Sequence, residues 1–352
     1  MEESTKESKQ EKHTLFSRAE RSSTKKAIHR RWWFILLEVL LALFLCLAIV
    51  LTTSTGLQAR AIRLMCSVSK KTDAGDPAGV MTLKTDLSYE SAYPNGTLDL
   101  YSARSNEAMP LVVYAHGGYY VGGDKSSLTD YCRTLASYGY VVANLNYELA
   151  PEGQYPTQLL QVNEAIAYLI KHADAFGIDS SRVFIGGDSA GGHLASQMGL
   201  YYTNPDFRQK TGGDPAIQAE QLRGVLLLCG YYNTETVRAT RFPMIADSIW
   251  ILTGEKQFEG TEVSKRMNTV AQVSSAYPPA FLACGDQDPF LSQAQEMIVA
   301  LAKNGVESSA YLPESKEESL GHEFQIKLDS AAGKEAMRRL AAFLADHAQV
   351  SE

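Results

Sequence analysis

The sequence predicts an α/β domain with a mostly parallel central sheet covered by helices on both faces, preceded by one membrane-spanning helix. Two observations predict the domain. Continuous apolar runs, typical of buried parallel strands, alternate along the chain with amphipathic runs at helical spacing. The spanning helix is predicted by a third observation, the almost wholly apolar stretch WWFILLEVLLALFLCLAIVL at residues 32–51.

The N-terminal part of the chain predicts a single-pass membrane protein. Residues 1–31 are polar and are expected to form a disordered tail. Apart from Glu38, residues 32–51 are apolar, and at about 1.5 Å per residue they match a bilayer core of about 30 Å. A cleaved signal peptide is the competing interpretation, but the polar region before the apolar run is long for one. Residues 52–84 are expected to form a stalk, and residues 85–352 the catalytic domain.

The flanking charge predicts the orientation of this anchor. More basic residues precede residues 32–51 than follow them, so the positive-inside rule places the N-terminus in the cytoplasm. The domain is then extracellular or luminal, and the lipid bilayer is a partner through residues 32–51.

Composition argues against several other classes of partner. The formal net charge of −7 gives no reason to expect nucleic acid. The five cysteines form no CxxC pair and no His/Cys cluster, so we expect no metal. No cofactor is expected either.

The strands and helices can be assigned in chain order. The strand-like runs are TLDLYSA, PLVVYAHGG, YVVANLNY, RVFIGG, GVLLLCG, PPAFLACG and SSAYLPE. The helix-like runs are SSLTDYCRTLASYG, PTQLLQVNEAIAYLIKHADAFG, the run that follows RVFIGGDS, SQAQEMIVALAKNG and AAGKEAMRRLAAFLADHA. The segment at about 231–275 lies between two of the strands, contains several aromatic residues and is expected to be a lid-like insertion. Ligands of such sheets bind at the carboxyl ends of the strands.

A serine lies at one of these strand ends. Gly187-Asp188-Ser189-Ala190-Gly191 is a G-x-S-x-G motif with a strand-like run before it and a helix-like run after it. A turn this tight strains the serine backbone and requires small neighbours, and it exposes the hydroxyl beside the first N–H groups of a helix. The pattern predicts a nucleophile, although a turn of small residues would look similar.

A nucleophilic serine needs a base and an acid that follow it in the chain. His322 follows the last strand-like run and lies in a loop, whereas His193 lies inside the helix after the serine and is expected to be structural. The segment CGDQDPF offers Asp286 and Asp288 as the acid, and spacing alone does not separate them. The glycine-rich loop at 116–120 follows another strand and is expected to supply backbone N–H donors for an oxyanion.

Together these motifs resemble the α/β-hydrolase fold, and within it the hormone-sensitive-lipase-like esterases with their feruloyl- and acetyl-esterase-like relatives. HGGYYVGGDK looks like the HGGG oxyanion loop, and NYELAPEGQYP like the family's Y-R-L-A-P-E segment. GDSAGG is similar to the nucleophile elbow, and DPF and GHEF look like the acid and histidine loops. The resemblance runs from about Leu87 to the C-terminal helix.

The resemblance implies a role for each matching position. The acid is the aspartate that precedes a proline, which is Asp288, and Tyr119 stands where the family has its third glycine. The implied site comprises nucleophile Ser189, acid Asp288, base His322, oxyanion donors Gly118, Tyr119 and Ala190, and substrate contacts Gly117 and Tyr120.

The predicted function is a serine carboxylesterase that hydrolyses small short-chain acyl esters through an acyl-enzyme. A serine peptidase on the same fold is one alternative, but such enzymes usually add a propeller domain, for which the remaining residues are too few. A catalytically inactive, hydrolase-like surface binding protein is the other alternative, and loss of a triad member would indicate it.

Overall fold

The computed structural model describes residues 29, 31–46, 53–67, 77, 79–314 and 319–349. The chain divides into two compact units, residues 1–58 and 59–352. Residues 31–46 of the first unit are helical. Within the described ranges no helix combines the length and the hydropathy needed to cross a bilayer. Residues 47–51 of the predicted span and nearly all of the predicted tail lie outside the described residues.

The second unit is built on one eight-stranded sheet. Its strands are β1 (Val80–Ser88), β2 (Thr97–Ala103), β3 (Met109–Ala115), β4 (Val141–Leu145), β5 (Ile178–Asp188), β6 (Leu222–Leu228), β7 (Ala280–Ala283) and β8 (Ser308–Tyr311). Their spatial order is β1-β2-β4-β3-β5-β6-β7-β8. Strand β2 is antiparallel to β1 and β4, and all other neighbours are parallel. The predicted mostly parallel sheet is confirmed, and its arrangement is that of an α/β-hydrolase.

The helices connect these strands and cover the sheet. They are α1 (Thr55–Ser67), α2 (Thr129–Ala136), α3 (Thr157–Lys171), α4 (Ala173–Phe176), α5 (Ala190–Thr203), α6 (Pro205–Thr211), α7 (Ile245–Thr253), α8 (Glu262–Met267), α9 (Leu291–Lys303) and α10 (Ala331–His347). Short 3₁₀ turns lie at Lys125–Leu128, Ala219–Gln221, Val237–Thr240, Val270–Gln272 and Phe324–Ile326.

The central strands are continuous apolar runs in the sequence because both of their faces are buried. Every residue of β3 and β4 is buried, because successive side chains point to opposite faces and both faces are covered. Leu111 and Val113 of β3 join the apolar core that contains α3 and α5. Val112 and Tyr114 join the core that contains α2 and α10. The two cores hold the carboxyl ends of β3, β5 and β7 at one edge of the sheet.

The beginning of the catalytic domain differs from the sequence-based boundary at residue 85. Strand β1 starts at Val80, inside the predicted stalk, and pairs with β2. Helix α1 also lies within the predicted stalk, yet its Ala59 and Ile62 side chains are 1% and 0% exposed. Three residues apart on a helix, these two side chains share one face, which packs into the main core.

Candidate active site

The nucleophile elbow joins β5 to α5. Ser189 has φ 53° and ψ −115°, a conformation that is strained for a non-glycine residue. The residues two positions before and two positions after it must be glycine. A Cβ on Gly187 would lie 2.4 Å from the carbonyl carbon of Gly191, and a Cβ on Gly191 would lie 2.0 Å from the oxygen of Ala115. The sequence therefore folds into a turn that lifts the Ser189 side chain to the edge of the sheet.

A continuous hydrogen-bond chain links the three residues that the resemblance assigned to the triad. Nε2 of His322 lies 2.9 Å from Oγ of Ser189. Nδ1 of the same ring lies 2.9 Å from Oδ2 of Asp288. The distances fit a neutral imidazole that donates from Nδ1 to the carboxylate and accepts the serine proton at Nε2. The geometry is that of a serine nucleophile with an oriented base.

The structure distinguishes the two candidate acids. Asp288 follows β7, is 3% exposed, and its second oxygen, Oδ1, accepts the N–H of Phe290 at 2.8 Å. Asp286 is half-buried, and its carboxylate is not the one bonded to His322. The predicted structural role of His193 also fits, because its Nδ1 accepts from the Tyr120 hydroxyl at 2.8 Å and its Nε2 donates to Met267 O at 2.9 Å.

The surroundings of His322 favour its charged form. Burial alone would lower the pKa of His322, but the hydrogen bond that His322 donates to Asp288 and the negative charges of Glu323 and Asp288 outweigh it and raise the pKa. Burial lowers the pKa of His193 to about 4, so that ring stays neutral at ordinary pH. His322 is thus the histidine of the site that is suited to take up a proton.

The glycine-rich loop after β3 presents backbone N–H groups beside Ser189. Gly118 has φ 110°, and its carbonyl accepts the N–H groups of Val121 and Gly122 at 3.0 and 2.9 Å. Tyr119 follows with φ 63°. Among the described residues nothing accepts the N–H of Gly118 or Tyr119, or that of Ala190 at the start of α5. Three unengaged donors after β3 and β5, at one edge of the sheet, can stabilise an oxyanion.

Gly117 and Tyr120 are predicted to contact the substrate, but the structure shows their polar groups bonded within the protein. The N–H of Gly117 donates to Oδ2 of Asp188 at 3.2 Å, and its carbonyl lies 2.6 Å from Nδ1 of His116. The Tyr120 ring is 2% exposed, and its hydroxyl is engaged by His193. Both residues stabilise the glycine-rich loop, because their polar groups are hydrogen-bonded within the protein.

The insertion at 231–275 contributes one side chain directly to the site. The Phe242 ring lies 4.7 Å from the His322 ring in an edge-to-face arrangement, 4.3 Å from Phe290 and 5.4 Å from Tyr119. We call Tyr119, Phe242 and Phe290 the aromatic wall. Phe242 is held in a strained segment, because Arg241 and Met244 both have φ 56°. The wall bounds the space beside the imidazole of His322.

A family model described as BD-FAE matches residues 98–302, which is more than half of the chain. The chain belongs to the BD-FAE family. The match includes the glycine-rich loop, the nucleophile elbow and Asp288, while His322 lies beyond its end.

Curated relatives of this BD-FAE chain include two esterases. The chain is 25% identical over 260 residues to Esterase LipC of Mycobacterium tuberculosis, which covers 71% of this chain and 62% of LipC. It is 28% identical over 201 residues to the isoprenylcysteine alpha-carbonyl methylesterase ICME of Arabidopsis thaliana, covering 55% and 46% of the two chains. The matched regions thus span less than two thirds of either relative.

Among solved structures, Esterase B from Lactobacillus rhamnosis resembles the BD-FAE chain over most of both lengths. The TM-score is 0.68 with 26% identity, covering 82% of this chain and 92% of that one. The same esterase has been solved after inhibition by a C4-C4 tributyrin phosphonate, with a TM-score of 0.67, 25% identity and coverage of 83% and 92%.

Helix α1 contacts the glycine-rich loop, which the sequence analysis did not predict. Nε of Arg63 donates to the carbonyl of Val121 at 2.8 Å, and Nη2 donates to that of Ala150 at 3.0 Å. The same guanidinium pairs with Glu152. A Cβ on Gly122 would lie 3.1 Å from Sγ of Cys66, so the helix packs closely on this loop. A helix outside the BD-FAE match therefore packs against the glycine-rich loop.

A cluster that includes Asp288 and His322 has the donor types of a metal site. Sγ of Cys229, a carboxylate oxygen of Asp288 and a ring nitrogen of His322 lie within 4.8 Å of one another. Burial raises the pKa of the Cys229 thiol, and its sulfur accepts from Nε2 of Gln325 at 2.8 Å. Thiolate is the metal-binding form, so this environment disfavours a metal ion. The expectation of no metal stays a prediction.

Proposed function

We propose that the protein is a carboxylic ester hydrolase that acts on short-chain acyl esters through a Ser189–His322–Asp288 triad. The observation that carries the proposal is the continuous hydrogen-bond chain through these three side chains beside three unengaged N–H donors. The esterase names of the relatives and of the similar solved structure support the same reaction class.

The mechanism follows from the positions of these groups. Nε2 of His322 takes the proton from Ser189 as its Oγ attacks the ester carbonyl, and Asp288 stabilises the imidazolium that forms. The N–H groups of Gly118, Tyr119 and Ala190 bind the oxyanion of the tetrahedral intermediate.

The second half of the reaction uses the same groups in reverse roles. The imidazolium gives its proton to the leaving alcohol oxygen, and the acyl group remains on Ser189. A water molecule, deprotonated by His322, then attacks the acyl carbonyl, and the carboxylic acid leaves as Ser189 regains its proton. With this water as the second reactant, the steps balance: one ester and one water give one alcohol and one carboxylic acid.

The aromatic wall supports short acyl chains as substrates. Its rings occupy space beside His322 and at the family's third-glycine position, where a longer acyl chain would extend. The similar Esterase B has been solved after inhibition by a C4-C4 tributyrin phosphonate. The test is hydrolysis of p-nitrophenyl acetate, butyrate and octanoate by the purified full-length chain. The proposal expects turnover that falls from butyrate to octanoate, and no turnover of any ester would contradict it.

Replacing Phe242 with alanine is expected to relax this preference. Removing the ring opens the wall, so the ratio of kcat/KM for octanoate to that for butyrate should rise about tenfold, the usual size of a pocket effect. Truncating a buried aromatic side chain is destabilising, so a fraction of the variant can be unfolded. Because the ratio compares two substrates on the same sample, any loss of folded enzyme cancels. Trp250→Ala is the control, because Trp250 lies in the same insertion and its ring contacts Lys256. An unchanged ratio in Phe242→Ala would show that the wall does not limit chain length.

We further propose that residues 32–51 anchor the protein in a membrane, with the N-terminus in the cytoplasm. The support is the length and hydropathy of the stretch and its basic N-terminal flank. In a heterologous host, the full-length chain should stay with membranes after extraction with alkaline carbonate. A variant with Leu40→Arg and Leu43→Arg should be released, since each arginine costs about 2.5–3.5 kcal/mol of insertion free energy. Release of the unmodified chain would contradict the anchor.

A further inference from the structure

One arginine outside the triad binds two buried backbone carbonyl groups that are linked to the glycine-rich loop. Arg63 of α1 donates from Nε to the carbonyl of Val121 at 2.8 Å and from Nη2 to that of Ala150 at 3.0 Å. Val121 and Ala150 are both buried, and no other group among the described residues donates to either carbonyl. Because a buried acceptor that loses its donor is costly, both carbonyls depend on this guanidinium.

The two residues that the guanidinium binds also hold the loop on both sides of Tyr119. The N–H of Val121 donates to the carbonyl of Gly118 at 3.0 Å. The N–H of Ala150 donates to the carbonyl of Tyr120 at 2.8 Å. The residues before and after Tyr119 are thus bonded to partners that the same guanidinium fixes. The unengaged N–H groups of Gly118 and Tyr119 belong to this held turn.

The backbone of this turn is strained and requires support from outside. Gly118, Tyr119 and Tyr120 have φ values of 110°, 63° and 63°. Positive φ is unfavourable for tyrosine, and such conformations persist only where surrounding contacts fix them. Without the guanidinium we therefore expect the turn to relax, so that its free N–H groups lose their fixed direction.

Helix α1 is a firm support for the guanidinium. Its buried face packs into the main core, and a Cβ on Gly122 would lie 3.3 Å from Cα of Arg63 and 3.1 Å from Sγ of Cys66. The helix and the turn are therefore in direct contact. Arg63 also pairs with Glu152, but both side chains are partly exposed, and such a pair contributes little stability. The contribution of Arg63 therefore comes mainly from the two carbonyl contacts.

We propose that Arg63 is a positioning residue that holds the glycine-rich loop in the conformation in which its N–H groups bind the oxyanion. The catalytic part of the proposal rests on the esterase function proposed above. Arg63 acts on the reaction through the loop, since its own donors are used by Val121, Ala150 and Glu152. The residue lies before position 98, where the BD-FAE match begins, so this support comes from outside the matched region.

Amide hydrogen exchange tests the support without any reference to activity. In full-length Arg63→Ala, the amides of Val121 and Gly122 should exchange about tenfold faster than in the unmodified chain, because their bonds to the Gly118 carbonyl open more often. Mass spectrometry of peptides that cover residues 117–123 measures this rate. Unchanged exchange there would overturn the proposal, whether or not the protein hydrolyses esters.

Arg223→Ala is the matched control. Arg223 also binds two backbone carbonyls, since Nε donates to that of His347 at 3.0 Å and Nη2 to that of Gln349 at 2.7 Å. It lies near the start of β6, away from the carboxyl ends of the strands. This variant should leave both the exchange of residues 117–123 and kcat within about threefold. Equally fast exchange there in both variants would show a general loss of stability and would overturn the specific role of Arg63.

Kinetics with chemical rescue tests the effect on the reaction. Arg63→Ala should lower kcat for p-nitrophenyl butyrate about tenfold and leave KM within about threefold, because a displaced loop loses part of the 10²–10³ that one oxyanion donor contributes. Guanidinium chloride at a non-denaturing concentration should raise kcat of Arg63→Ala about threefold, since the free cation offers the same planar donors. It should not raise kcat of Arg223→Ala.

The kinetic outcomes separate this proposal from the proposed function. An unchanged kcat in Arg63→Ala, a change confined to KM, or a loss that guanidinium does not restore would overturn the positioning role. Absence of hydrolysis by the unmodified chain would count against the esterase function, while the exchange result would still decide whether Arg63 holds the loop.

Discussion

Replacing Ser189 by alanine is expected to lower kcat for p-nitrophenyl butyrate by about 10⁴-fold or more. The loss corresponds to about 5 kcal/mol or more of transition-state stabilisation, because no other described side chain holds a hydroxyl against His322. Alanine keeps the Cβ of the elbow, so the fold should be retained. The measurement is steady-state hydrolysis by the purified full-length chain, with thermal unfolding recorded on the same samples.

Ser196→Ala is the matched control for this variant. Ser196 lies on α5, seven residues after the nucleophile, is fully buried and bonds to His193 O and Thr269. Losing that hydroxyl should leave kcat within about threefold. Turnover by Ser189→Ala close to that of the unmodified chain would place the nucleophile elsewhere.

Replacing Asp288 by asparagine should lower kcat at pH 7 by about 10⁴-fold, while Asp286→Asn should leave it nearly unchanged. An amide at position 288 no longer stabilises the imidazolium and favours the wrong imidazole tautomer. Comparing the two variants identifies which aspartate is the acid of the triad, a choice that the spacing in the sequence does not decide. Equal losses in both variants, or a loss confined to Asp286→Asn, would contradict the assignment.

The same carboxylate also determines the acid limb of the pH profile. Because the pKa of His322 is raised, the base is neutral only above that raised value, and activity should fall as the pH drops through it. The midpoint of the kcat/KM profile should therefore lie above the ordinary histidine pKa. In Asp288→Asn, the residual activity should show this midpoint at lower pH, since the hydrogen bond and the charge that raise the pKa are gone.

The parts of the site that follow strands could be predicted from the sequence. Ser189 and Gly118 lie in glycine-containing turns directly after β5 and β3, and His322 lies beside Gly321 in the connection after β8. The parallel sheet brings the ends of such strands to one edge. The choice between Asp286 and Asp288 needed either the family resemblance or the structure. Both candidates follow β7 within a few residues, and only side-chain direction separates them.

The missed features depend on contacts between distant segments. The strand β1 has an irregular, largely exposed pattern and twice shifts its register against β2, so it lacks a clear period of two. Phe242 reaches His322 only because the insertion folds back over the sheet edge.

Phosphonylation of Ser189 tests the central claim, a working serine nucleophile with an activated base, most directly. The full-length chain would be treated with a fluorophosphonate at pH 7, digested and analysed by mass spectrometry, beside Ser189→Ala and Asp288→Asn. We predict one adduct on the peptide that contains Ser189, much slower labelling of Asp288→Asn, and none on Ser189→Ala. An unlabelled Ser189 in a folded sample, or an adduct on another residue, would contradict the account and favour an inactive hydrolase-like binding protein or a different nucleophile.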